Sequence, residues 1–419
     1  MRLHTIIAAA LTFVACASNP TENPQDYAIN CHIEGEIIDR PESDKLLLFV
    51  GIEGKMALSS EPYKEIDIRN GKFTCDIYIN EAQYCELVFE DEYRNRAWHQ
   101  VDFVADNGTI KMTLYPEEEY GKNTIEGAGH TAEYQSYKLR LRELQNATNE
   151  VREQLKAEGR YNSEQHNSLI AKIEAIKENT PERNSLIEQL QAMTEEQTYT
   201  PEALTERADY KTKRKSALLE IVNGEPSIAR LTMLARQMVY SLPEQEFIDA
   251  FNNIYAVKMP DNSTTQFCQR QIAGFGLQIG SQYVDFEAPD IEGQMHKLSD
   301  LTKGAEIVML DLWASWCGPC RKASIEMIPL YEKYNDKGFK IIGVARESGS
   351  TKAMEKAIKQ DGYKWPQLVE MDDRANIWAQ YGCINAAGRR ILFDGEGKII
   401  AFDPTIEQLT AEVEKHINK

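Results

Sequence analysis

Hydrophobic and polar positions change rhythm several times along this chain, and each change marks a boundary. Arg2 and His4 precede an apolar run from Ile6 to Ala15, too short to span a bilayer and of the length of a secretory leader. A polar stretch, Ser18 to Asp26, follows. Across residues 27–127 the runs Tyr27–Gly35, Lys45–Val50, Lys72–Ile79, Tyr84–Phe89 and Thr109–Leu114 are strand-length. Turn residues such as Asn70-Gly71 and Asp106-Asn107-Gly108 punctuate them, which predicts an antiparallel β domain packed as a sandwich or barrel-like sheet.

The period then lengthens. Over residues 130–273 the positions Tyr134, Tyr137, Leu141, Leu144, Thr148, Val151 and Leu155 alternate spacings of three and four, the signature of an amphipathic helix. Gly159–Ser163 breaks it, and Leu169, Ile173 and Ile176, then Leu186, Leu190 and Met193, resume it. Thr180-Pro181 and Thr200-Pro201 read as helix N-caps with Pro in the first turn, and Ser241 to Glu244 as a capping box. The stripe suits either a dimerising coil or a helical hairpin packed on its neighbours, and so short a repeat favours the hairpin.

Residues 280–419 alternate strand and helix. Glu306–Trp313 is a near-continuous apolar strand, followed by a helix over Pro319–Asp336, a strand Phe339–Ala345 and a helix Ala353–Gln360. A strand Gln367–Met371, a helix ending at Tyr381, a hairpin Arg390–Phe393/Lys398–Phe402 and a terminal helix complete an α/β sheet with an antiparallel edge. The expected protein is therefore multidomain, with β, helical and α/β regions in that order.

Charge narrows the function. Lys plus Arg number 47 against 66 Asp plus Glu, a net charge of −19, which argues against nucleic acid as a partner. The seven His residues form no ligand cluster of metal spacing, so no metal and no other cofactor is expected.

Phe13-Val14-Ala15-Cys16 resembles the lipobox of bacterial lipoproteins. That resemblance implies cleavage of residues 1–15, a lipid on Cys16 and a polar tether over residues 16–26. An ordinary leader cut elsewhere would leave Cys16 incidental, but the tether composition favours the anchor. Cell-envelope placement, facing the periplasm, follows as an expectation. Of the eight cysteines, Cys31, Cys75 and Cys85 alternate with apolar neighbours, which predicts buried thiols rather than a disulfide framework.

The chemistry concentrates in Trp316-Cys317-Gly318-Pro319-Cys320. Two cysteines at this spacing, at a strand-to-helix junction, can close a small disulfide ring. The first sits at the helix N-terminus, where unpaired N–H groups favour a thiolate. Cys317 is then expected to be exposed and nucleophilic, and Cys320, one turn inside, to resolve the mixed disulfide. Arg321 and Lys322 add positive charge. Half a zinc site is the competing reading, but no second Cys or Cys/His pair exists to complete it.

Met309-Leu-Asp-Leu-Trp-Ala-Ser-Trp-Cys-Gly-Pro-Cys-Arg-Lys322 resembles thioredoxin, and more narrowly the membrane-tethered TlpA-type thiol-disulfide oxidoreductases. Ala288-Pro289-Asp290, Leu298-Ser-Asp-Leu301 and Asp394-Gly-Glu-Gly-Lys398 match further landmarks of that group. The resemblance covers the last third of the chain. It implies a thioredoxin-like fold, disulfide-bearing client proteins and a membrane thiol-disulfide donor of electrons. Asp311 falls where thioredoxin carries a buried acid that moves a proton to and from the second cysteine. Trp313, Trp316, Gly318 and Pro319 surround the site. The N-terminal pattern, through Ile33-Glu34-Gly35 and Asn70-Gly71-Lys72-Phe73, resembles the small β domain of unknown function that precedes thioredoxin-like domains in envelope lipoproteins.

Two departures stand out. The family's helix proline, five residues after the second cysteine, is Ile325 here, with Pro329 one turn further on. The cis-proline that faces the disulfide has no counterpart in Gly382–Arg390, where Ala386 and Ala387 occupy its neighbourhood. A non-proline cis bond costs about 3 kcal/mol, so this loop is expected to be trans and the client range altered. A scaffold lipoprotein with a vestigial thioredoxin domain is the alternative that the missing proline favours and the intact cysteine pair opposes. A peroxiredoxin-like peroxidase is weaker, because its P-x-x-x-T-x-x-C motif is absent around Cys317.

Overall fold

The computed structural model describes residues 26–52, 62–95, 99–239, 242–373, 375–383 and 388–418. Cys16, Ala386 and Ala387, with the expectations attached to them, lie outside the described residues, as does Ser241.

The N-terminal region is a β-sandwich. Its strands are β1 (Ile29–Ile37), β2 (Lys45–Val50), β3 (Lys64–Asp67), β4 (Lys72–Ile79), β5 (Gln83–Phe89), β6 (Val101–Ala105), β7 (Gly108–Leu114) and β8 (Thr124–Glu126). They form two sheets, ordered β4-β1-β7-β8 and β3-β2-β5-β6. Pairing is antiparallel except between β1 and β7, which run parallel with Cys31 opposite Gly108. Alternate residues of the two inner faces, including Ile33, Leu48, Phe73, Ile77, Leu87 and Phe103, build the core. Cys31, Cys75 and Cys85 are buried there as thiols, and burial pushes that of Cys31 up to about 11.

In the helical region α1 (Gly129–Ala157) packs on α2 (Pro201–Val222), α3 (Ile228–Gln237) and strand β6. The first half of the apolar stripe, Tyr134, Tyr137 and Leu141, faces this chain's own core, whereas Val151 is exposed. Thr180 and Thr200 cap their helices, accepting the N–H groups of Arg183 and Ala203 at 3.2 Å. The capping box expected at Ser241 is displaced: the helix begins at Gln245, so Glu244 is itself the N-cap and makes no side-chain cap bond. The region closes with α4 (Ser263–Phe275). No helix among the described residues is long and apolar enough to cross a membrane.

The C-terminal region opens with a hairpin, β9 (Glu287–Pro289) and β10 (Met295–Lys297). Strand β11 (Ile307–Trp313) then leads into helix α5 (Gly318–Tyr334), and β12 (Phe339–Glu347) into α6 (Lys352–Asp361). Strand β13 (Gln367–Met371), the short α7 (Ile377–Gln380), hairpin β14 (Arg389–Asp394)/β15 (Ile399–Phe402) and α8 (Ile406–Ile417) complete it. The sheet order is β13-β12-β11-β14-β15, parallel from β13 to β11 and antiparallel beyond. All seven residues of β11 are buried, because the central strand is covered on both faces. Met309 and Trp313 face α5 and α8, while Leu310 and Leu312 face Trp378 and Tyr381. Helix α5 runs unbroken through Pro329.

Candidate active site

The site forms where β11 ends and α5 begins. Cys317 and Cys320 are joined as a disulfide, with Cα atoms 5.3 Å apart. Cys317 is the N-cap of α5, and its Sγ accepts the Cys320 N–H at 3.2 Å. Pro319 occupies the first turn, where its missing N–H costs the helix nothing. A sulfur thus takes the place of a capping oxygen at the positive end of a helix dipole.

One expectation is corrected here. Cys317 is only 3% exposed, while Cys320 is partly buried. In the disulfide the first sulfur sits at the helix end, where it meets the Cys320 N–H. Trp316, 62% exposed, is the large apolar side chain this turn presents to solvent. Arg321 is also less available than its sequence position suggests. Asp361 holds its guanidinium in a two-toothed pair at 2.6 and 2.7 Å, which offsets its charge.

Two side chains from other strands fix the turn. Glu347, at the end of β12, is buried and accepts both the N–H and the hydroxyl of Ser315, at 2.8 and 2.7 Å. The Trp313 indole donates to Gln367 at 2.9 Å. Gly343 leaves room for that glutamine: a Cβ there would stand 2.7 Å from the Gln367 Cδ. None of these partners shows in a local motif, because each arises from the register of neighbouring strands.

Asp311 lies in mid-β11, 2% exposed, on the face shared with Met309 and Trp313. Burial pushes its pKa up to about 6, although the Ser324 hydroxyl and the Arg390 charge pull it down. Ser324, fully buried on α5, donates to Asp311 at 2.7 Å and stands 3.0 Å from the Cys320 carbonyl. Its single proton serves one acceptor at a time. Sequence reasoning missed this serine, whose only signal is its place four residues after Cys320.

Among the described residues, Gly388, immediately before β14 and one position beyond Ala387, abuts the disulfide. A Cβ at Gly388 would lie 2.6 Å from the Cys320 Sγ and 2.6 Å from the Leu312 carbonyl. Only a residue without a side chain fits so close an approach. Arg389 turns away from the sulfurs, donating to the Tyr381 carbonyl at 2.6 Å and lying over the Phe402 ring. The Arg390 N–H donates to Asp403.

A disulfide-bonded cysteine pair capping a helix, next to a strand that carries a buried acid in this sheet order, is the arrangement of the thioredoxin-like class of thiol-disulfide oxidoreductases. Residues 279–402 match the AhpC/TSA family. The chain is 34% identical to thiol-disulfide oxidoreductase ResA of Bacillus thuringiensis strain Al Hakam over 142 residues, which are 33% of this chain and 79% of that protein. ResA of Geobacillus thermodenitrificans is 32% identical over 125 residues, 29% of this chain and 67% of that one. Among solved structures, the thioredoxin domain of a thiol-disulfide oxidoreductase from Bacteroides vulgatus is 34% identical, covers 34% of this chain and 99% of its own, and superposes with a TM-score of 0.31. Through its C-terminal third, the chain belongs to the ResA family of thiol-disulfide oxidoreductases.

Proposed function

We propose that this protein reduces disulfides of client proteins in the cell envelope, with Cys317 as nucleophile, Cys320 as resolving thiol and Asp311 as proton acceptor. The observation that carries this reading is the Cys317–Cys320 disulfide capping α5, with buried Asp311 linked through the Ser324 hydroxyl to the Cys320 backbone. In the reduced protein the Cys317 thiolate, favoured by the helix end, attacks one sulfur of a client disulfide. A mixed disulfide forms and the first client thiolate leaves, taking a proton from solvent. Cys320 then gives its proton to Asp311 and attacks the Cys317 sulfur. The second client sulfur departs as a thiolate and is protonated from solvent, Asp311 gives up its proton in turn, and two electrons have moved from the protein to its client. Regeneration needs two electrons and two protons from a dithiol donor, for which an envelope protein relies on a membrane-embedded partner. The Gly318-Pro319 spacer resembles that of reducing thioredoxins and supports this direction.

Insulin reduction with a dithiol donor, paired with Cys320→Ala, tests the chemistry. Turnover by the wild type and an accumulating mixed disulfide on Cys317 in the variant are expected. No turnover and no trapped adduct would favour a scaffold with a vestigial domain. Anchoring through Cys16 belongs to the same reading, since the lipobox-like Phe13–Cys16 and polar tether support it. Cys16→Ser should abolish palmitate labelling in a lipidating host, and persistent labelling would remove the anchor.

A further inference from the structure

Among the described residues, the helical region meets the thioredoxin-like domain in a closely fitted contact at Gly274. Gly274, buried near the end of α4, packs against the backbone that follows α7. A Cβ on Gly274 would strike the Ala379 carbonyl and stand 2.7 Å from the Gly382 N. The fit is reciprocal: Gly382 has φ +66°, and a Cβ there would lie 2.8 Å from the Gly274 carbonyl. Two glycines therefore let two backbones meet, which larger residues would prevent. Ala379 continues the seam by packing into the helical region's core beside Ile272 and Phe275.

From this seam a short chain of contacts runs to the disulfide. Tyr381 is anchored by its hydroxyl on the Val284 carbonyl at 2.6 Å, and its own carbonyl accepts Arg389 at 2.6 Å. Arg389 follows Gly388, whose backbone abuts the Cys320 sulfur. The path Gly274, Gly382 with Tyr381, Arg389, Gly388, Cys320 involves no loose surface contact. Each step is a backbone fit, a peptide bond or a hydrogen bond.

We propose that Gly274 is a positioning residue through which the helical region sets the backbone facing the disulfide, and thereby selects protein clients. The inference rests on the reading that Cys317 and Cys320 reduce protein disulfides. A small disulfide needs only access to Cys317. On this proposal a protein client also lies along the backbone at Gly388, which abuts the Cys320 sulfur, so displacement there penalises it selectively.

The test compares the wild type with Gly274→Ala and Gly274→Val in the full chain, using insulin and glutathione disulfide as substrates. Misplacement on this scale should lower kcat/KM for insulin by about tenfold, chiefly through KM, and change glutathione disulfide turnover by less than about twofold. Hydrogen exchange should quicken at Trp378–Cys383 and Gly388–Ile391 but not in β15. Equal loss on both substrates, or no loss on either, overturns the proposal, as does unchanged exchange at those two segments. A wild type that turns over glutathione disulfide but not insulin would instead sink the protein-reductase reading. Exchange would still decide whether Gly274 positions the site.

Discussion

Two buried aspartates, one in each half of the molecule, have the same burial and opposite chemistry. Asp102 on β6 is 3% exposed and Asp311 on β11 is 2% exposed. Desolvation raises the pKa of both. At Asp102 the charges of Lys138 and Arg236, with the Tyr134 hydroxyl at 2.7 Å, more than offset it, and the carboxyl stays below its ordinary range. Among the described residues, Asp311 has the Ser324 hydroxyl as its one hydrogen-bond partner and the Arg390 charge besides, and its pKa stays near 6. Burial does not decide what a carboxylate does; the charges buried with it do. Asp102 is a fixed ion that ties the sandwich to α1 and α3, whereas Asp311 can take up and release a proton near neutral pH.

The comparison breaks most visibly in stability. Asp102→Ala leaves Lys138 and Arg236 without their shared anion and should cost about 3 kcal/mol in equilibrium denaturation at pH 7. A loss under about 1 kcal/mol would show that the seam does not depend on this ion. Asp311→Asn should act in the other direction. A folded pKa near 6 against an unfolded value of 3.8 means that the folded protein holds the proton more tightly. Ionisation at pH 7 therefore opposes folding, and removing it should stabilise the protein by about 1–3 kcal/mol.

The same signs give opposite pH slopes. As pH falls from about 6 to about 4, Asp311 becomes protonated and the thioredoxin-like domain gains stability. Asp102's contribution is complete above 3.8 and disappears only as pH drops through its lowered folded pKa. Region-resolved hydrogen exchange across this range should show protection rising around β11 while that around β6 and α1 holds until stronger acid. Parallel slopes in the two regions would contradict the assignment.

The smallest effect concerns Ser324. Its hydroxyl stabilises the Asp311 carboxylate, so Ser324→Ala should move the Asp311 pKa further upward, read by carboxyl carbon NMR. A downward move would mean that the serine stabilises the protonated acid instead.

How much of this was legible beforehand follows from locality. The cysteine pair, its strand and its helix lie within one short segment, and β11 is apolar at every position but Asp311, so the sequence exposed both element and site. Strand β6 escaped notice although all five residues are buried, because Asp102 interrupts its apolar run and its partners lie on distant helices. Strand β3 has a single buried residue, Ile66, among charged ones, too little to show a period. The parallel β1–β7 pair, Glu347 on Ser315 and Gly388 on Cys320 all depend on how separate strands register. No spacing within the chain encodes that directly. The burial of Cys317 likewise depends on the tertiary surroundings of the helix end, which the local motif does not encode.

If Asp311 accepts the Cys320 proton, the rate at which the mixed disulfide resolves must follow the ionisation of Asp311. Stopped-flow release from a preformed Cys317 adduct should, in the wild type, rise with pH through a break near the Asp311 pKa of about 6. In Asp311→Asn release should slow by about a hundredfold and lose that break, while the initial attack by Cys317 keeps its rate. An unchanged break in the variant, or a slowed first step with normal release, would contradict the claim and leave Asp311 a structural group beneath the disulfide.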